Sequence, residues 1–237
     1  MKKHTYLLVI LLAFIACKNE TKVTSENLPK EQNKAEFSIV IHGGAGNIKR
    51  EKMSPEKEAE YTKKLEEAIR VGYDILKNGG TSLDAVQKTI NVLEDSPLFN
   101  AGKGAVFTHE GTNEHDASIM DGSNLNAGAS AGTKTVKNPI NLARAVMENS
   151  PHVMLSGNGA EIFAKEQLLE MVKPDYFFTE KRFKSLERIK ATEKTEIDHD
   201  DKISFYDSDI KDSKFGTVGC VALDKHGNLA AGTSTGG

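Results

Sequence analysis

The sequence predicts an α+β fold, with sheets that carry their helices on the outside. Three observations point there. Strand-like segments come in runs and helix-like segments come in runs, without strict βαβ alternation. Hydrophobic residues make up 38% of 237 residues, enough for one good-sized core. Twenty glycines against six prolines signal many tight turns and close backbone approaches. The composition excludes collagen, coiled coil, a disulfide scaffold and wholesale disorder. A formal charge of −3 supplies no basic excess to track a phosphate backbone, so nucleic acid is not an expected partner.

The first residues, MKKHTYLLVILLAFIAC, read as an export signal. Lys2 and Lys3 precede an apolar run from Tyr6 to Ile15 that is too short for a permanent membrane span. The Ala16-Cys17 ending resembles a bacterial lipobox, with residues 1–16 removed and Cys17 acylated, although Phe14 departs from the usual Leu. The expectation is an exported, membrane-anchored lipoprotein, periplasmic or at the cell surface, touching the membrane only through its lipid. An ordinary cleaved signal is the alternative. Residues 17–36 are polar and aperiodic and read as a flexible tether. Cys220 is the only other cysteine and sits in an apolar run, so it reads as a core residue rather than a disulfide partner or catalytic thiol.

Phe37–Ile41 reads as a buried strand ending in a glycine turn, residues 42–46. Pro55–Asn78 is a predicted helix. Ser54 caps it, Pro55 suits its first turn and Gly79-Gly80 stop it, with Leu65, Ala68, Ile69, Gly72, Ile75 and Leu76 on one face. A second helix starts near Thr81, which stands at capping-box spacing from Asp84, and buries Val86, Ile90 and Leu93. Ala105–Thr108, Ala117–Asp121 and Gly128–Val136 read as strands separated by turn residues. Further helices are predicted from Asn138-Pro139 through Met147 and over Ala160–Met171, with a strand at His152–Leu155 between them. Residues 180–215 are charge-dense and read as a long mobile linker. Phe215–Leu223 is then a core strand, residues 224–228 a turn, and Leu229–Thr235 the return strand.

Chemistry concentrates at Gly216-Thr217, where the charged linker meets a core strand. A Thr hydroxyl is a weak nucleophile and needs a base. Cutting the bond before Thr217 would supply one, because a free α-amine titrates near 7.7–8.0. The hydroxyl could make that cut by attacking the preceding carbonyl, with Gly216 tolerating the conformation required. Taken alone, Gly-Thr at this position reads first as a strand beginning after a turn. Residues 42–46 lack a phosphate-loop ending and read as a tight turn. His109, His115 and Asp116 lack the spacing of a transition-metal site, and Asp198, Asp200 and Asp201 read as solvated charge.

Five segments in order change the weighting: IVIHGGAG (39–46), LEDSPLFNAGKGAVFT (93–108), DASIMDG (116–122), NPINLARAVMENSPHVMLSGNGAE (138–161) and GTVGCVALDKHGNLAAGTSTGG (216–237). Together they resemble the plant-type L-asparaginase/isoaspartyl peptidase family of N-terminal-nucleophile hydrolases. The resemblance implies a four-layer αββα sandwich over residues 37–237, incomplete at its C-terminus. It further implies autocleavage at Gly216-Thr217 into a first subunit, 37–216, and the start of a second, 217–237. By position Thr217 matches the nucleophile, Thr235 the second Thr that orients it, and Asn100 an Asn that reaches the active site. Backbone oxygens of Leu93, Glu94, Ser96, Phe99, Ala101 and Lys103 match a loop that holds a structural sodium ion; no other cofactor is implied. The implied reaction is hydrolysis of β-aspartyl amide bonds in isoaspartyl dipeptides and L-asparagine, with a homodimer of α/β units at full length. The family's substrate clamp and oxyanion Thr-Gly pair lie beyond TSTGG, so the expectation for 237 residues is a truncated chain with little turnover. A glycosylasparaginase-like amidase and a catalytically inert lipoprotein on the same scaffold are the alternatives.

Overall fold

A computed structural model of the chain describes residues 36–44, 53–197 and 216–237. The signal segment, Cys17, the tether up to residue 35, Ala45-Gly46 and residues 198–215 lie outside the described residues.

The strands are β1 (Ser38–His42), β2 (His115–Asp121), β3 (Asn126–Thr133), β4 (Met154–Ser156), β5 (Thr217–Leu223) and β6 (Leu229–Gly236). The helices are α1 (Pro55–Lys77), α2 (Ser82–Glu94), α3 (Pro139–Asn149), α4 (Gly157–Glu166) and α5 (Glu180–Ile197). All six strands join one sheet in the order β1-β5-β6-β2-β3-β4. Its pairings are antiparallel except β3 with β4.

Capping fixes where the helices start. Ser54 Oγ accepts from the Lys57 amide at 3.3 Å and Pro55 occupies the first turn of α1. Thr81 Oγ1 accepts from the Asp84 amide at 3.1 Å at the head of α2. The apolar faces meet the sheet as their spacing requires: Ala68 and Leu76 of α1, Val86, Ile90 and Leu93 of α2, and Ile140 and Ala143 of α3. They pack on Ala117 and Ile119 of β2, Val218, Cys220 and Ala222 of β5, and Ala230 of β6. A smaller core joins Leu142 and Val146 of α3 to Ala160 and Ala164 of α4.

The opposite face of the sheet is open. Val40, Val221, Ala231 and Met120 form a row across four paired strands, and Val40 is 66% exposed. The described residues therefore build one helical and one β layer; a second sheet and second helical layer are not among them.

Several segments differ from their sequence reading. Ala105–Thr108 is not a strand. Its backbone is engaged by side chains instead: the Val106 amide donates to Asn100 Oδ1 at 2.8 Å, and Asn113 Nδ2 donates to the carbonyls of Ala105 and Val106. The α4 helix stops at Glu166, before Met171, because Leu168 takes a positive φ of 56°. The first part of the predicted linker is helical. In α5, Phe183, Leu186 and Ile189 recur at three-residue spacing and are half-buried, a stripe too sparse to stand out among the charges.

Candidate active site

The site forms where β5 begins and β6 ends. Antiparallel register places Thr217 directly opposite Thr235. Facing side chains on one side of a sheet lie close enough to interact, and here Thr217 Oγ1 donates to Thr235 Oγ1 at 3.0 Å. Thr235 Oγ1 in turn donates to the Gly216 carbonyl oxygen at 3.1 Å. Two hydroxyls and the carbonyl of the Gly216-Thr217 peptide bond thus form one relay. Both threonines belong to the open face of the sheet, which they share with Val221 and Ala231.

Asn100 closes the site from the loop after α2. It is 6% exposed. A Cβ on Gly216 would come 2.7 Å from Asn100 Cβ, so close approach explains the glycine. Because the Val106 amide must donate, Asn100 Oδ1 is the engaged atom and Nδ2 is the one left for the site.

Two further residues belong here that the sequence reading took only as a turn. His42 Nδ1 lies 2.8 Å from the Thr217 carbonyl oxygen. That short contact requires Nδ1 to carry the proton, so the Gly44 amide at 3.3 Å is a neighbour rather than a donor to the same nitrogen. Gly44 has a φ of 125°, and a Cβ there would sit 3.5 Å from Gly216 Cα and 3.8 Å from the Thr217 nitrogen. The register places it: β1 pairs with β5, which sets His42 opposite Gly219, two residues from Thr217.

Glu94 contributes a buried carboxyl. Its Oε1 accepts from Ser234 Oγ at 2.7 Å and from the Ile140 amide at 2.9 Å, joining the end of α2 to β6 and to the first turn of α3. Burial pushes its pKa up to about 7 despite these donors. Cys220 is buried in the core and burial pushes its thiol up to about 12, so it is no nucleophile. His115 is fully buried, and burial pushes its imidazole down to about 4.

The loop matched to sodium binding is shaped by glycine. The carbonyl oxygens of Ser96 and Phe99 lie where a Cβ on Gly104 would stand, and that of Glu94 where one on Gly102 would stand. Neutral carbonyl oxygens are donors of the kind a hard cation takes. Among the described residues no group of three or more His, Cys, Asp or Glu side chains is placed to hold a metal.

The sequence profile of the asparaginase family matches residues 35–237. The isoaspartyl peptidase of Escherichia coli is 48% identical over 199 residues, covering 84% of this chain and 60% of its own length. The isoaspartyl peptidase/L-asparaginase of Rattus norvegicus is 40% identical over 210 residues, 88% of this chain and 58% of its own. The plant-type L-asparaginase of Thermococcus kodakarensis is 43% identical over 202 residues, 84% and 63%. The chain spans about three-fifths of the length of these curated relatives. With the profile running through both threonines and Asn100, the chain belongs to the asparaginase family.

Proposed function

We propose that this protein cuts its own Gly216-Thr217 bond and then hydrolyses β-aspartyl amide bonds, in isoaspartyl dipeptides and in L-asparagine. One observation carries the reading: the hydroxyl relay from Thr217 through Thr235 to the Gly216 carbonyl. Thr217 Oγ1 attacks the Gly216 carbonyl carbon. Its proton passes to Thr235 Oγ1, whose own proton already points at the oxygen where negative charge develops. The C–N bond breaks, its electron pair leaves with the Thr217 nitrogen, and that nitrogen takes a proton. Water then hydrolyses the ester that joins Gly216 to Thr217 Oγ1.

The freed amine, titrating near 7.7–8.0, becomes the base for a substrate. Thr217 Oγ1 attacks the side-chain carbonyl of the β-aspartyl group, the amine donates a proton to the leaving nitrogen, and water releases aspartate. The names of the relatives support this substrate class. Leu93, Glu94, Ser96, Phe99, Ala101 and Lys103 would hold a sodium ion through backbone oxygens, which would stiffen the loop that carries Asn100. The leader and Cys17 support export and lipid anchoring, and the resemblance supports pairing of two α/β units.

Intact-mass analysis of the purified chain tests the reading. A fragment beginning at Thr217, absent from Thr217→Ala, is expected. Any turnover that follows is expected on a β-aspartyl dipeptide and not on an N-glycosylated asparagine. A wild-type chain that stays whole on long incubation refutes autocleavage.

A further inference from the structure

The helix α5 is not a passive part of a charged connection. Phe183 of α5 meets Phe107 edge-on at 5.6 Å and Phe178 at 5.5 Å, and Phe107 meets Phe178 at 5.8 Å. Three aromatic rings thus pin the start of the helix to the loop after Asn100. Leu186 approaches the same loop one turn later, at Gly111. Beside Phe183, Arg182 Nε donates to the Gly104 carbonyl oxygen at 3.0 Å. Among the described residues no carboxylate pairs with Arg182, so this carbonyl is the acceptor that its partly buried guanidinium has found.

Gly104 is where such a contact carries furthest. The residue is buried inside the turn of residues 96–99, with no room for a side chain. Two residues on, the Val106 amide holds Asn100 Oδ1, and Asn100 stands against Gly216. A charged donor makes a stronger bond to a carbonyl than a neutral one does, and here it clamps the short strap on which the Asn100 amide depends.

We propose that α5 is docked on the loop carrying Asn100 and that Arg182 is a positioning residue for Asn100, acting through the Gly104 carbonyl and the Val106 amide. The proposal rests on the autocleavage reading for its consequence, a faster cut at Gly216-Thr217, but not for the link itself. Arg182 touches neither the bond to be cut nor its nucleophile.

The experiment uses the full chain with Arg182→Ala, Arg182→Lys and Phe183→Leu. Hydrogen exchange at the Val106 amide reads the link directly, and intact mass reads the cut. Arg182→Ala should speed Val106 exchange and slow the appearance of the Thr217 fragment, each on the order of tenfold. Arg182→Lys, which keeps a charged donor, should restore much of both. Phe183→Leu should lower the melting temperature at least as far as Arg182→Ala while affecting the cut less, which separates positioning from general loosening. Unchanged Val106 exchange in Arg182→Ala overturns the proposal, whether or not the chain cuts. Arg182-dependent exchange in a chain that never cuts upholds the link and counts against autocleavage instead. An equal loss of cutting in Phe183→Leu and Arg182→Ala, at matched stability, also overturns the positioning role.

Discussion

Replacing His115 by Leu should remove a specific acid sensitivity of the fold. The ring is fully buried, tilted against Phe177 at a centroid distance of 4.2 Å, and both its nitrogens lack hydrogen-bond partners. Burial, opposed only by the charge of Glu161, lowers its pKa from 6.5 to about 4. The unfolded chain therefore binds a proton over that interval and the folded chain does not. Stability contributed by the neutral ring is present above the unfolded pKa and lost as pH falls through the folded one. A shift from 6.5 to about 4 corresponds to about 3 kcal/mol. Wild-type stability alone is a poor readout, because Glu94 works in the opposite sense. Its pKa rises from 4.5 to about 7, so its contribution is present below pH 4.5 and lost as pH rises through 7. The informative quantity is the difference between variant and wild type, from urea unfolding at pH 7 and pH 4. That difference should move by about 3 kcal/mol in favour of Leu at the lower pH. The variant should not be much weaker at pH 7, since the two unpaired nitrogens already cost about 1–3 kcal/mol each there. A difference that stays constant across the interval would refute the assignment of a neutral, desolvated His115.

Two further outcomes follow from the site and its support. Gly216→Ala should slow autocleavage by tenfold or more and destabilise the chain by about 1–3 kcal/mol, since the added Cβ meets Asn100 Cβ at 2.7 Å and overpacks the site; an unchanged rate by intact mass would contradict the close approach. Asp224→Ala should cost about 2–3 kcal/mol in urea unfolding at pH 7, because this buried carboxylate accepts from the amides of Ser82, His226 and Asn228. Burial pushes the Asp224 pKa up, but those amides hold it below its ordinary value. The loss should therefore shrink as pH falls below 4.

How much of this was legible in the sequence depends on the range of the signal. The caps Ser54 and Thr81 act within three residues, and both appear as read. The buried faces of α1 and α2 follow from helical period alone. Gly216, Thr217, Thr235 and Asn100 could be named from motifs, but why they meet could not: that needs the β5–β6 register and the fold of the loop over 95–106. His42 escaped because its partner lies 175 residues away. Residues 105–108 misled because alternating small and apolar residues suit a strand, whereas Asn100 and Asn113 capture their backbone groups. The α5 helix was hidden by composition, since a few apolar residues at helical spacing are enough once aromatic rings wait for them.

The register itself is what the chemistry depends on. Side chains alternate across a sheet, so slipping β6 by one residue would turn Thr235 into the core and bring Ser234 or Gly236 to the open face. Three features oppose such a slip. Ser234 is locked on the core side by Glu94, and a slip would strand that buried carboxyl without its closest donor. Gly232 lies where Val86, Ile90 and Ile140 leave no space for a side chain, so its neighbour cannot take its place. Gly236 lies against Ala105 under the same restriction, which fixes the strand end at the loop carrying Asn100. Core packing on one face thus sets, to within a hydrogen bond, the distance between two hydroxyls on the other. Glu94→Ala should therefore disturb the Thr217–Thr235 pair without touching either residue. In that variant, loss of the Thr217 fragment accompanied by Ser234 side-chain mobility would follow from the register argument, and a chain that cuts at the wild-type rate would defeat it.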